Sequence, residues 1–179
     1  MIASPIQQAI NIQVKNELES AYIYLAMAVY FDSENLAGMA AWMRAQVHEE
    51  TLHAMKLQHH VLERGGKVEL FDLKLTSTNW TSVVEIWEAT LAHEQFISGE
   101  IRNLMKLVRE EYDFAAESLI GWFIDEQVEE EANVDRILSE IKMVGGRSEG
   151  LLMLDRELGA RVFGSGSPFD PASLAALGK

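Results

Sequence analysis

Four stretches of this 179-residue chain carry apolar residues at helical spacing, and every one has an acid or amide set into the middle of its apolar stripe. The first stripe runs Ile10, Val14, Glu17, Ala21, Tyr24, Ala28, and the second Met39, Met43, Gln46, Glu50, His53, Leu57. The third is Trp87, Leu91, Glu94, Ile101, Met105, and the fourth Ile120, Phe123, Gln127, Glu130, Val134, Ile137, Ile141. Steps of three, four and seven put each set on one helix face, the face that must be buried. A carboxylate taken out of water is costly unless it is paired or binds a metal. Glu17, Glu50, Glu94 and Glu130 meet no inward Lys or Arg on these stripes, so they need a cation.

The spacing repeats. Glu17 precedes Glu50 by 33 residues and Glu94 precedes Gln127 by 33, and the two sets are offset by 77. Glu50 has His53 three residues on, where Gln127 has Glu130. Carboxylate oxygens with one imidazole nitrogen suit iron, and inward Glu and Glu-x-x-His groups on facing helices form the pattern of a di-iron carboxylate bundle.

Prolines occur only at positions 5, 168 and 171, which leaves the chain between Pro5 and Pro168 free to be helical. Ser4-Pro5 with Gln7 reads as a capping box opening a first helix from about Pro5 to Phe31. A turn over Asp32 to Asn35 leads to a second helix, Leu36 to Arg64, stopped by Gly65-Gly66. Residues 67–81 alternate briefly but have no hairpin partner and read as a long crossover. Ser82 with Glu85 opens a third helix to about Glu111. Asp113 caps a fourth that ends near Val144, and a short fifth, capped by Ser148, spans about Glu149 to Leu158. The expected fold is all-α: four long helices, one crossover between the second and third, and a short C-terminal fifth.

At 48% hydrophobic the chain can bury a sizeable core. Its apolar runs fall short of a membrane span, its N-terminus lacks the features of a secretory signal, and a cytoplasmic location is expected. A net charge of −13 argues against nucleic-acid binding. The absence of cysteine excludes a disulfide framework and a rubredoxin-like centre.

Taken in order, Glu17 with Tyr24, His48-Glu49-Glu50-Thr51-Leu52-His53, Glu94, Asp125-Glu126-Gln127-Val128-Glu129-Glu130-Glu131 and Gly150-Leu151-Leu152-Met153-Leu154-Asp155-Arg156-Glu157-Leu158 resemble the prokaryotic non-haem ferritins over residues 5 to 160. The resemblance implies a ferritin-like bundle over residues 1–160. It also implies a ferroxidase centre in which Glu17, Glu50 and His53 hold one iron, and Glu50 bridges to a second held by Glu94 and Glu130, with Gln127 beside it. Glu49, Glu126, Glu129 and Glu130 match the family's third iron site, and Tyr24 is placed to hydrogen-bond the centre or supply an electron. Two adjacent Fe(II) ions can each give an electron to dioxygen or peroxide. Haem is not expected, because Gln127 and Glu130 replace a second Glu-x-x-His and Thr51 stands where a haem-ligating methionine would follow the bridging glutamate. The resemblance further implies a homo-oligomeric shell of 24 subunits around ferric mineral. Glu110, Glu111, Asp113 and Glu117 are candidates for its iron-access pores, or simply acids that suit a helix N-terminus.

Residues 161–179 depart from that family. Gly-Ser-Gly-Ser-Pro follows Phe163 as a linker, and Asp170-Pro171-Ala-Ser-Leu-Ala-Ala-Leu has the content of a short amphipathic turn. If this tail docks on a neighbouring subunit or a separate partner, deleting residues 164–179 changes assembly or partner capture. Particle mass and pull-down profiles identical to those of the full chain would reject docking.

Overall fold

Each long helix ends where the backbone swings into the left-handed region. The turns are made by Asn35 (φ 59°), Gly65 (φ 71°), Tyr112 (φ 54°) and Gly145 (φ 59°). Glycine and asparagine tolerate this conformation, whereas an aromatic at Tyr112 is held there by the turn around it. In that turn the Asp113 amide donates to Val108 O at 3.0 Å. The computed structural model describes residues 1–75, 78–145 and 148–160, and of Ser148 the backbone alone. Its elements are α1 (Ser4–Ser33), α2 (Ala37–Glu63), α3 (Val83–Glu110), α4 (Phe114–Val144) and α5 (Ser148–Leu158). The predicted crossover, over residues 66–75 and 78–81, contains no regular element. The predicted tail lies outside the described residues.

The cross-helix contacts fix the directions. Along α1 and α3 the partners are Met27 with Thr90, Tyr24 with Glu94, and Ser20 with His93, so these helices are antiparallel. Along α2 and α4 they are Gln46 with Glu130, His53 with Phe123, and Arg64 with Asp113, again antiparallel. With short turns joining α1 to α2 and α3 to α4, α2 and α3 must be parallel. The crossover therefore has to travel the length of the bundle, and it does so along α1. The Lys67 amide donates to Gln7 Oε1 (2.9 Å), Asn11 Nδ2 donates to Lys67 O (3.0 Å), the Lys74 amide donates to Glu19 Oε1 (2.8 Å), and Trp80 meets Tyr30 edge-on.

Two apolar cores fill the ends of the bundle. One gathers Tyr24, Phe31, Met39, Trp42, Trp87, Ile137 and Ile141 with α5, and the other Ile6, Ile10, Val14, Leu57, Ile101, Ile120 and Phe123. Between them lies a buried polar belt: Gln13, Asn16, Glu17 and Ser20, then Gln46, Glu50 and His53, then Glu94 and Ser98, then Gln127 and Glu130.

Three local expectations need correction. The first helix has Ala3 as its N-cap with no side-chain cap bond, and Pro5 lies within its first turn. Gln7 holds the crossover instead of closing a capping box. Ser82 does cap α3, accepting from the Glu85 amide (3.2 Å), but the Glu85 carboxylate returns to Thr81 (amide, 2.7 Å) in place of Ser82. Leu91 is only half-buried, while Thr90 takes the interior position and bonds back to Ile86 O. The predicted caps at Asp113, donated to by the Ala116 amide, and at Gly145 are present.

The fifth helix is seated by a contact far apart in sequence. Leu36 at the N-cap of α2 has no side-chain acceptor to offer, and Asp155 of α5 supplies one, taking the Met39 amide at 2.8 Å. The seat requires glycine, because a Cβ on Gly38 would lie 1.6 Å from the Asp155 carbonyl oxygen, a backbone atom that cannot turn aside. Gly38→Ala is expected to unseat α5 and lower stability by about 1–3 kcal/mol, the usual range for overpacking. Thermal unfolding together with proteolysis between α4 and α5 checks this. An unchanged melting curve and an uncut α5 would show that the seat is not tight.

Candidate metal centre

The polar belt draws one set of side chains from each long helix. Glu17 and Tyr24 come from α1, Glu50 and His53 from α2, Glu94 from α3, and Gln127 and Glu130 from α4, and all seven are buried. Glu17, Glu50 and His53 each offer a ligand atom within 4.8 Å of the other two. His53 Nδ1 lies 3.3 Å from Glu50 Oε2. The remaining two acids are held by hydrogen-bond donors. The Tyr24 hydroxyl donates to Glu94 Oε1, Gln127 Nε2 donates to Glu94 Oε2 (3.0 Å), and Gln46 Nε2 donates to Glu130 Oε2 (3.0 Å).

The electrostatics follow from burial without cations. Desolvation pushes the Glu17 carboxyl well above the ordinary carboxylate range, and the neighbouring Glu50 adds to the shift. Glu50 is likewise raised well above that range, by burial first and then by Glu94 and Glu130. Burial and the Glu94 carboxylate push the Tyr24 hydroxyl up as well, so it remains a donor. Two neighbouring acids raised in this way favour their protonated forms, and their titrations are linked. Among the described residues the buried polar groups include no Lys or Arg. A set of hard oxygens and one imidazole, short of positive charge, fits a divalent iron ion.

The residues expected at a third site are more open. Glu49 and Glu126 are half-buried and Glu129 is exposed, and none joins the tight group of Glu17, Glu50 and His53. They do sense one another: burial raises the Glu126 carboxyl and Glu129 and Glu49 add to it, while His53 and Lys56 oppose the shift.

Several contacts were not legible from the stripes. Gln13 Nε2 donates to Glu17 Oε1 at 2.9 Å, and the only sequence signal was its place one turn before Glu17. Ser98, one turn after Glu94, lies 3.4 Å from Gln127 Nε2 and donates to Glu131. Trp122 stands edge-on to His53 at 5.5 Å, with the Lys56 ammonium over its ring. His93 pairs with Ser20 (2.8 Å) and stands edge-on to Tyr24, and His59 pairs with Glu63 (3.1 Å); neither belongs to the group of Glu17, Glu50 and His53. Of the acids at the α3–α4 turn, Asp113 is engaged by Arg64 (2.8 Å) and Glu117 by Arg109 (2.8 Å), while Glu110 and Glu111 are exposed.

The ferritin-like domain family matches residues 7–144. The chain is 32% identical over 163 residues to a bacterial non-heme ferritin of Staphylococcus aureus, covering 91% of this chain and 98% of that one. It is 34% identical over 161 residues to a bacterial non-heme ferritin of Bacteroides fragilis, covering 90% and 100%. Among solved structures it is similar to the open pore ferritin of the archaeon Archaeoglobus fulgidus, with 39% identity and a TM-score of 0.88 over 90% of this chain and 99% of that one.

The raised carboxyls make metal-free stability depend on pH. A group whose folded pKa exceeds its unfolded value stabilises fully below the unfolded pKa, and that contribution is lost as pH rises through the folded one. Metal-free protein is therefore expected to lose stability from the ordinary carboxylate range upward, as the unfolded chain gives up protons that Glu17 and Glu50 keep in the fold. A redox-inert divalent ion such as Co(II) should restore it with release of protons. Melting temperature against pH, with and without Co(II), checks this, and curves of the same shape would remove these two groups as the cause.

Proposed function

This chain belongs to the ferritin family, and we propose that it stores iron, oxidising Fe(II) at the belt and holding the ferric product inside a multisubunit shell. The observation that carries this reading is the buried ligand set: four glutamates and one histidine from four helices, with no buried Lys or Arg among the described residues. Glu17, Glu50 and His53 would receive one ion; Glu94, Glu130 and the bridging Glu50 would receive the second, with Gln127 alongside. Two Fe(II) ions give one electron each to a dioxygen molecule, which takes up two protons and leaves as hydrogen peroxide; with peroxide as oxidant, the two electrons and two protons yield two waters. Tyr24, bonded to Glu94, is placed to orient that ligand and to pass an electron toward it. Glu49, Glu126 and Glu129 form a half-open acidic approach beside His53, suited to hydrated Fe(II) arriving or leaving.

Assembly is supported by surface that a lone subunit would leave wet. Tyr22, Leu25 and Val29 on α1, with Leu70, Phe71 and Leu73 on the crossover, are exposed apolar groups, the kind of surface that marks a protein–protein contact. We take the assembly to be a closed shell of 24 copies. No helix among the described residues is long and apolar enough to cross a membrane.

Aerobic addition of Fe(II) to metal-free protein, followed by size-exclusion chromatography with light scattering, tests the reading. A large particle co-eluting with far more iron than its centres can bind is the expected result. A small species that keeps only its centre iron would instead make this a di-iron oxidase or peroxidase. Glu50→Ala and Glu130→Ala should slow the initial oxidation by at least the roughly 10–100-fold that loss of even an outer partner costs a metal site. Initial rates equal to wild type would take these residues out of the centre.

A further inference from the structure

The two faces of the belt differ in chemistry. On the α2–α4 side stand the half-buried and exposed acids Glu49, Glu126 and Glu129. On the α1–α3 side lies a groove of about 220 Å³ whose walls are Ala9, Ile12, Leu104 and Leu107. Gln13 lines the same groove, and it is the side chain whose amide donates to Glu17 Oε1 at 2.9 Å. One carboxamide thus touches both the groove and a ligand of the centre. Its own oxygen accepts from Asn16 Nδ2 (3.2 Å), so Gln13 is fixed at both ends and buried. At the rim are Glu100 and the exposed Asn103, 3.4 Å from each other.

Resting on the ferroxidase reading above, we propose that this groove is the way in for the neutral oxidant, dioxygen, with the Gln13 carboxamide as its floor beside Glu17. Past Glu100 at the rim, an Fe(II) ion moving between the leucine and isoleucine walls would shed water with only the Gln13 carboxamide to replace it before Glu17, a high cost for a dication. Dioxygen is apolar and pays no such penalty. Fe(II) has a hydrated, acidic alternative on the opposite face. The carboxamide at the floor is neutral, so it closes the bundle without adding a charge that would hold a cation there. The two substrates reach the pair of metal positions from opposite sides, and neither has to displace the other on its path.

The test uses bulky substitutions at exposed rim positions that touch no ligand. Ile12 is 44% exposed and Asn103 is exposed, so Ile12→Trp and Asn103→Trp, made separately, cover the groove from either helix without entering the core. Protein loaded with Fe(II) anaerobically is mixed with increasing dioxygen by stopped flow, and Co(II) uptake is followed without oxidant. The expected result is a severalfold fall in the second-order rate for dioxygen in both variants, with Co(II) uptake unchanged. An unchanged dioxygen dependence in both variants overturns the proposal. So does slower Co(II) uptake with the dioxygen rate intact, which would give the groove to the metal. If wild-type protein itself fails to oxidise its bound Fe(II), the ferroxidase reading has failed, an outcome visible before any variant is compared.

Discussion

The belt of carboxylates across the middle of the bundle, buried with no Lys or Arg among the described buried residues, governs the rest of the structure. Such a layer lowers stability unless something neutralises it, since each acid must keep a proton at a raised pKa or lose hydration without recompense. The chain tolerates it by placing an apolar core on each side, with aromatic and aliphatic groups such as Phe31 and Trp87 at one end and Ile10 and Phe123 at the other. Burial of that apolar area is the favourable term against which the belt is tolerated. A protein selected for stability alone would fill the layer with leucine. On the proposed reading the layer is a site for a metal, and stability and cation uptake would be linked through the same protons.

The duplicated interval of 33 residues has a geometric cause. Two antiparallel helices joined by a tight turn bring residues to the same height when they are equidistant from that turn. The midpoint of Glu17 and Glu50 falls at residues 33–34, where α1 ends, and the midpoint of Glu94 and Gln127 falls at 110–111, where α3 ends. Each hairpin thus carries its own level pair, and the crossover along α1 then sets the two hairpins side by side so that the levels coincide. The contacts of Lys67, Lys74 and Trp80 along α1 determine this register.

These levels explain which parts were legible in the sequence. Helix extents, turns and the inward acids depend on local periodicity and on residues such as Asn35, Gly65 and Asp113, whose preferences are strong and short-range. The capping box at Ser4 failed because Gln7 is taken by a backbone amide 60 residues away. The Asp155 contact with Met39, across 116 residues, leaves no local trace beyond the presence of Gly38. Tyr24 could be placed on the ligand face from its seven-residue step, but its donation to Glu94 depends on how α1 meets α3, which no single stripe encodes. Gln13 and Ser98 sat one turn from named ligands and were hidden because amides and hydroxyls on a helix are common.

The two halves of the centre are prepared differently, and this bears on how long iron would stay. Glu17, Glu50 and His53 already gather their ligand atoms within 4.8 Å, with the Gln13 amide on Glu17 and His53 Nδ1 3.3 Å from Glu50, so on the proposed reading an ion arriving there finds its ligands together. Glu94 has both oxygens engaged, by Tyr24 and Gln127, and Glu130 is engaged by Gln46. On the proposed reading a second ion would compete with these bonds, each worth about 1.5–3 kcal/mol when the acceptor is charged. Where a symmetric centre would place a second histidine at Glu130, this chain offers another hard oxygen tied to an amide. On the proposed reading the hydrogen bonds are waiting to re-form whenever the second position empties, so they favour departure of the oxidised ion. On that reading a centre that passes its iron onward would gain from the inequality, because Tyr24, Gln127 and Gln46 would return Glu94 and Glu130 to their hydrogen bonds after each departure.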